Sequence, residues 1–558
     1  RFGWIIQWLR EPWKSKYESL SKEFGPPNSP EPFRITTEWV GPTSPKTKDD
    51  LKIMSPQEII SFLKIWKAPD TMRGDSMEGL GRVLTSIVNE EPQKFSLILE
   101  DFKGLDPTYV RSALDGLAKA AEQGRIFEWN KVINLCKWVV EQPRQIPGRM
   151  KASSYLDFDP DWSWTRKQIA RLLEVAFEKQ SIPIEFRHSV WSILEILAND
   201  PDPTPEDTSM EPATDSINSV RGVAMHAIIR YALWIRRDFE QNEDASKLNA
   251  GFEEMKEVKI MLEQKLNPDI EKTLAIRSIY GQWLPWLLLL DTAWVTINLH
   301  KIFPKEKQLH QFRDAAWETY IGFCHPYDNV LDVIKNEYAA AIERIDGSKE
   351  LENTEEGLSG HIMTYAYRGK IDIDDPKDLF SLFFAKAPLS LRKAAIEFLG
   401  RVLYNSEGEV PTKIKEKFKK IWDNRIRFHK KEKKGSEIQE LNGFGWWYAS
   451  GKLEELWALE QLILSTKLGA VPDPEQFVID HLEKVVTVYP QLVAQALILI
   501  IDSSEDEWLI TASKEEIKKI TGVVYNNSDG KTKKIGTDLI NRLVSKEFLE
   551  VRDLLKSG

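Results

Sequence analysis

The residues whose types and spacing come closest to chemistry lie at 443–452. Gly445-Trp-Trp-Tyr-Ala-Ser-Gly451-Lys452 has the outline of a phosphate loop, in which glycine N–H groups cradle an anion and a lysine reaches it. One residue too many separates the glycines, and Leu453 stands where a hydroxyl should hold magnesium. Bulky aromatics would also obstruct the cradling N–H groups. Close helix packing through small residues explains the segment better. The alternative is a helical enzyme with an atypical pocket near 443–452, lined by the aromatics of 444–448.

The histidines are dispersed, with no His-x-x-x-His or Cys-x-x-Cys spacing to gather a metal. His226 lies in a helical run with Met225, Ile228, Ile229 and Leu233, and reads as a partly buried structural histidine. The acids of Asp157-Phe-Asp159-Pro-Asp161 imitate a calcium loop but lack its glycine and closing glutamate, and helix capping explains Asp159. No catalytic, cofactor-binding or metal-ligating residue is assigned.

The strongest charge cluster is 413–434, with eleven Lys or Arg against three acids. Ile414, Phe418 and Ile421 give its first half a buried stripe that leaves the lysines outside. Arg425, Arg427, Lys430, Lys431, Lys433 and Lys434 then carry the positive field into an expected loop. Such a patch attracts phosphate backbones or acidic protein surfaces. Arg425, Arg427, Lys430 and Lys431 are the candidate partner-binding residues. The favoured reading is nevertheless a solvated helix face balanced by the acidic stretches 199–215 and 347–360, with partner binding as the alternative.

Helices must position any such site. A Ser or Asp followed at once by Pro precedes an apolar helical run at Ser55-Pro56, Asp106-Pro107, Asp159-Pro160, Asp375-Pro376 and Asp473-Pro474. The side-chain oxygen caps free N–H groups, and proline suits the first helical position because its missing N–H would have had no partner. Glu58 and Gln476 stand where a capping box would close.

Apolar residues then recur at helical spacing in pairs. Ile169, Leu172, Leu173, Ala176 and Phe177 are followed, after a break at 181–183, by Phe186, Val190, Ile193, Leu194 and Leu197. Trp317, Tyr320, Ile321 and Cys324 turn at His325-Pro326 into Leu331, Ile334, Tyr338, Ile342 and Ile345. Val478, Leu482 and Val485 break at Tyr489-Pro490 before Leu492, Val493, Ala496, Leu497 and Ile500. Short connections predict antiparallel pairs, and stacked pairs of about 35–45 residues are the mark of helical repeats. The expected fold is all-α, an irregular HEAT-like α-solenoid.

Composition shifts divide the chain further. Loops are expected at 142–161, 199–215, 347–360 and 430–443. The stretch 199–215 holds four prolines and six acids without one base, which predicts a solvated segment. The division is an extended N-terminal arm or connector at 1–47, a helical domain at 48–141, a linker at 142–164, central repeats at 165–345, repeats with the basic segment at 346–434, and a C-terminal helical domain at 435–558.

A chain of 558 residues exceeds one ordinary core, and 42% hydrophobic content suits a large buried interior. A net charge of -10 argues against a dedicated nucleic-acid coat. Cys136 and Cys324, far apart on apolar helix faces, predict a reducing, cytoplasmic setting without disulfides. No secretory leader is read at 1–10. The most apolar stretch, 283–290, is too short to span a bilayer and reads as a buried helix started or kinked near Pro285. The chain begins without Met, as a piece of a longer protein would.

Gly443-Phe-Gly-Trp-Trp-Tyr-Ala-Ser-Gly451-Lys452, Leu456-Trp457-Ala458-Leu459-Glu460-Gln461-Leu462, Leu539-Ile-Asn-Arg-Leu543 and Phe548-Leu-Glu-Val-Arg-Asp-Leu554 resemble the C-terminal helical-repeat region of large bacterial multidomain proteins. Val40-Gly-Pro-Thr-Ser-Pro45, Met54-Ser-Pro-Gln-Glu58 and Leu105-Asp-Pro-Thr-Tyr-Val110 resemble the same kind of region. Those proteins carry an N-terminal ATPase, nuclease or sirtuin-like module, and several belong to anti-phage defence. In STAND-type members, the helical repeats detect a trigger and release the N-terminal effector. This sequence holds no Walker motif and no sirtuin glycine pattern. The resemblance therefore implies a non-enzymatic sensor or scaffold linked to an effector module outside this chain. Its expected partner is a protein first and a nucleic acid second, with no membrane and no cofactor.

Overall fold

In the computed structural model, which describes residues 10–24, 41–69, 74–149, 158–206, 210–348, 352–432, 435–503 and 508–555, helix starts follow the local code at several places. Ser55 Oγ accepts from Glu58 N (3.3 Å) and the Glu58 carboxylate accepts from Ser55 N (2.7 Å), opening Pro56–Ile65 with a complete capping box. Asp106 Oδ1 accepts from Thr108 N (3.0 Å) where Pro107–Glu122 begins.

Three other Asp-Pro pairs do different work. Asp159 does not cap a helix: it is buried against Arg111 Nε (2.8 Å), and Ser163–Glu178 starts later, with Asp161 accepting from Ser163 N (2.8 Å). Asp157 lies outside the described residues. Asp375 closes a local turn by accepting from Lys377 N (2.9 Å), and Leu379–Lys386 begins behind Asp378 instead. Asp473 N donates to Asn442 O (2.9 Å) while its carboxylate faces Lys393 (3.3 Å). Glu475–Val485 therefore opens without a side-chain cap, and Gln476 closes no box. Asp before Pro fits a tight turn as well as a helix start, and distant partners decide between them.

Among the described residues every regular element is a helix, and one isolated bridge, Thr43 with Asp75, is the only extended pairing. The protein is all-α. It has two compact units, Arg1–Ala120 with Pro143–Thr165, and Ala121–Gln142 with Arg166–Gly558. In the first, Thr85 Oγ1 donates to Ser112 O (2.8 Å), and Gly116 brings its backbone against Val88 and the Thr85 carbonyl. Residues 13–24 of the expected extended arm are helical, Trp13–Phe24, while 1–9 and 25–40 lie outside the described residues.

From 212 onward two rows of successively packed helices run through the second unit, which also holds further helices such as Arg187–Leu197, Val220–Gln241, Lys256–Leu266 and Thr292–Ile302. Pro212–Asn218, Leu274–Gln282, His310–Phe323, Glu352–Arg368, Leu389–Tyr404, Phe444–Ala449, Glu475–Val485 and Lys514–Tyr525 each pack on the next. A second row takes the intervening helices. Leu284–Leu290, Asp328–Glu343 and Leu379–Lys386 pack in succession, as do Thr412–Glu432, Glu455–Lys467, Pro490–Ser503 and Gly530–Ser545. From 310 onward, apart from the short helix Trp508–Ala512 and the turns of Gly435–Gly443, the chain alternates between rows, an order compatible with stacked helix pairs.

Several expected loops are ordered differently. Glu352–Arg368 is a helix where 347–360 reads as a loop; 349–351 lie outside the described residues. Thr412–Glu432 runs through Lys430 and Lys431, and Gly435–Gly443 forms tight helical turns, so the described residues of 430–443 are not loop; 433–434 lie outside that set. The acidic stretch 199–215 is pinned: Arg166 Nη1 donates to buried Asp200 (2.9 Å), and Arg221 donates to Asp200 O and Pro203 O (2.6 Å each). Residues 207–209 lie outside the described set. Charge-rich helices lack apolar marks, and a polar composition conceals burial whenever arginines answer the acids. The run at 283–290 does form a helix, Leu284–Leu290, broken from Leu274–Gln282 at Trp283. Among the described residues no helix is long and apolar enough to cross a membrane.

Gly281 sets the closest approach in the first row. A Cβ there would stand 1.8 Å from Ala316 O and 2.5 Å from Thr319 Oγ1. Gly281→Ala must therefore separate Leu274–Gln282 from His310–Phe323, with an expected loss of about 3 kcal/mol. Gly322→Ala, which meets nothing within 4 Å, is the matched control. Equal urea midpoints for both variants would contradict the close-packing argument.

Candidate functional site

The basic segment is built on Thr412–Glu432, a helix uninterrupted by Gly or Pro. Its buried side carries Phe418, Ile421, Trp422, Ile426 and His429. Ile414, the first member of the expected stripe, is only half-buried. The Trp422 ring stacks on Phe444 at 4.7 Å, and its Nε1 donates to Ser465 Oγ (3.1 Å). Phe418 meets Trp447 edge to face at 4.5 Å. This aromatic seam fixes the rotation of the helix and so decides which cations face outward.

The acids that balance its first half are not the stretches 199–215 and 347–360. Lys415 lies 3.7 Å from Glu409, Lys419 pairs with Glu454 (2.8 Å), and Lys420 pairs with Asp374.

Arg425 differs from the other candidate residues. Its guanidinium lies over the rings of Phe384 (5.0 Å) and Phe428 (4.4 Å), Nε pairs with Glu440, and Nη2 donates to Glu440 Oε2 at 2.9 Å. Arg392 Nε donates to the same carboxylate at 2.8 Å, and His429 Nε2 lies 3.5 Å away. Glu440 is wholly buried. Burial alone would raise its carboxyl, but His429, Arg425 and Arg392 outweigh burial and pull it down to about 2. Arg425 is thus committed to holding the helix onto the turns of Gly435–Gly443.

Arg427, Lys430 and Lys431 are exposed. With Lys413 and Lys417 they are the cations of this helix that make no ion pair among the described residues. Lys433 and Lys434 lie outside that set. Positions 413, 417, 420, 427 and 431 share one helical face, a cationic stripe about 27 Å long at 1.5 Å per residue. Lys413, Lys417 and Lys420 also border a groove of about 760 Å³, with Asp372 and Asp374 opposite. Burial and then Lys413 hold Lys417 below its ordinary value. Lysines and acids both line this groove, with Lys370 among the lysines and Asp378 and Glu416 among the acids.

The other sequence candidates fall elsewhere. Phe444, Trp447 and Tyr448 are buried in the core, and Gly445 lets Phe444–Ala449 pack directly on the backbone of Asp473. His226 is buried and bonded on both sides, to Ser216 Oγ (3.0 Å) and from Trp283 Nε1 (2.7 Å). Cys136 is buried in its helix, whereas Cys324 lies just past the end of His310–Phe323 and is half-buried. No group of side chains able to hold a metal occurs among the described residues.

The outward face of the first half of Thr412–Glu432 was readable from the apolar spacing at 414, 418 and 421, but its continuation through Arg427 and Lys431 on one helix was expected as a loop. Glu440 and Arg392 carried no such signal, because nothing local distinguishes an acid that will be buried between two arginines. The sequence matches no protein-family model and no curated protein.

Proposed function

We propose that this chain is a non-enzymatic sensor or scaffold of a larger bacterial, defence-type protein, and that a macromolecular trigger docks on the cationic stripe of Thr412–Glu432. The observation behind the reading is the run of unpaired cations, Lys413, Lys417, Arg427, Lys430 and Lys431, on a helix anchored from behind by Glu440. The trigger is an acidic protein surface. The negative charge of the whole chain opposes a long polyanion, whereas a compact acidic patch engages the stripe alone.

The test is the triple reversal Arg427→Glu, Lys430→Glu, Lys431→Glu. Arg425 is left intact, because reversing it would break the Glu440 cluster. An acid-rich protein recovered from phage-infected lysate by the unaltered chain should be lost with the variant, mainly through slower association. Nuclease and hydrolase screens should stay negative. Equal recovery by both proteins would sink the docking site. A nucleic-acid complex lost on reversal, weakening by about 0.9 log unit per contacted phosphate per tenfold salt, would replace the protein trigger with duplex DNA.

A further inference from the structure

A cavity of about 370 Å³ opens among the helices His310–Phe323, Asp328–Glu343 and Glu352–Arg368. Trp317, Ala341, Ile345 and Leu358 give it an apolar floor, and the side chains of Arg313 and Arg344 border it. Arg313 is 9% exposed, and both its Nε and Nη2 donate to one oxygen of its chain neighbour Asp314, at 2.9 and 2.7 Å. Its Nη1 has no acceptor among the described residues. The Arg344 guanidinium makes neither a hydrogen bond nor an ion pair among the described residues, while its backbone N donates to Ala341 O (3.0 Å).

The acids around the cavity are largely occupied. Asp314 holds Arg313, Glu355 accepts from Asp346 N (3.0 Å) and Gly347 N (3.3 Å), and Asp346 accepts from Ser348 N (2.8 Å). Buried Glu337 attracts both arginines at longer range without bonding either. Glu318 remains, its carboxyl raised above the ordinary value by burial and then by Asp314 and Glu211. Burial and the like charge of Arg313 hold Arg344 below its ordinary value. Asp314 pairs with Arg313 and Glu337 attracts both arginines, yet Arg313 Nη1 and the Arg344 guanidinium keep unfilled donors at the cavity.

We propose that this cavity binds a small phosphomonoester, its phosphate between Arg313 Nη1 and Arg344 and its organic part over Trp317 and Leu358. A dianion matches two cations, and its tetrahedral oxygens take donors from two directions. The volume is at the small end of ligand pockets, roughly 300–1,000 Å³, which selects a ligand of modest size. The site is separate from the stripe and does not depend on a macromolecular trigger.

The test uses phenyl phosphate as the probe, followed by saturation-transfer NMR, with benzyl alcohol as the anion-free control. Saturable binding of phenyl phosphate but not of benzyl alcohol is expected. Arg344→Gln should weaken it by about tenfold or more, the loss of a charge-assisted bond. Arg427→Gln, on the stripe, should leave it unchanged. Because the Arg344 guanidinium makes no hydrogen bond or ion pair in the fold and is repelled by Arg313, Arg344→Gln should keep or raise the thermal midpoint without ligand. Absence of saturable binding, equal affinity for Arg344→Gln, or a fall in its ligand-free midpoint would each overturn the proposal.

Discussion

Glu440→Ala should destabilise the second unit by about 3–5 kcal/mol, the loss expected when one partner leaves a buried ion cluster. The wild-type carboxylate is wholly buried and receives Arg392 Nε at 2.8 Å and Arg425 Nη2 at 2.9 Å. Alanine would leave two arginines and His429 facing one another in a dry space, and Thr412–Glu432 would lose its anchor to Gly435–Gly443. Urea unfolding followed by tryptophan fluorescence would read the loss, since Trp422 and Trp447 lie in the seam behind the cluster. A shift below about 1 kcal/mol would mean that water or another acid already serves these arginines. The same variant should weaken trigger binding although it alters no exposed cation. Because the folded carboxyl sits at about 2 instead of 4.5, this contribution is complete above pH 4.5 and is lost as the pH falls toward 2.

Acid should weaken the second unit well before that, between pH 6.5 and about 4, through His226 and His361. Trp283 Nε1 donates into His226 Nδ1, so the proton of this ring sits on Nε2 and goes to Ser216. His361 Nε2 donates to Cys324 O (3.0 Å), and its Nδ1 accepts from Tyr338 (2.7 Å), whose oxygen accepts from Tyr320 (2.8 Å). Both rings are held neutral. Burial pushes each down to about 4 from 6.5, helped at His226 by Arg230 and at His361 by His325. The unfolded chain takes up these protons near pH 6.5 and the folded chain does not, so stability falls as the pH falls. Each histidine contributes about 3 kcal/mol above pH 6.5 that is gone once the pH drops below 4. Thermal midpoints recorded from pH 7.5 to 4.5 should slope downward, and His361→Gln should flatten the slope by about half. An unchanged slope in that variant would show that His361 is not a source of the acid sensitivity.

Helix class and the caps at Ser55 and Asp106 were readable because cap and capped group lie within three residues of each other. Asp159 and Asp473 carry the same local signal, yet Arg111 and Lys393, far away in the chain, claim their side chains. The outward lysines in the first half of Thr412–Glu432 were legible from the spacing of Ile414, Phe418 and Ile421, whereas the continuation of the helix through Arg427, Lys430 and Lys431 was not, because that run reads as a polar loop. Arg425 was misplaced among the partner-binding residues because its carboxylate lies 15 residues on, inside a run that reads as polar loop, and the second arginine on that carboxylate is a further long-range partner. The cavity of Arg313 and Arg344 left no trace in the sequence, since it joins three helices through residues that are unremarkable one at a time.

The alternation of the chain between two rows limits how far a disturbance can spread. Helices pack on neighbours in their own row and across to the other, as Lys514–Tyr525 does on Gly530–Ser545, so support comes mainly from elements close by in the chain, an order compatible with stacked pairs. A lesson for melting experiments follows from that arithmetic of neighbours: a break at Gly281 and a break at Glu440 would open different stretches of the second unit, each with its own amide-exchange signature. The unit would come apart like a zip with several sliders, and a single melting temperature would average over them.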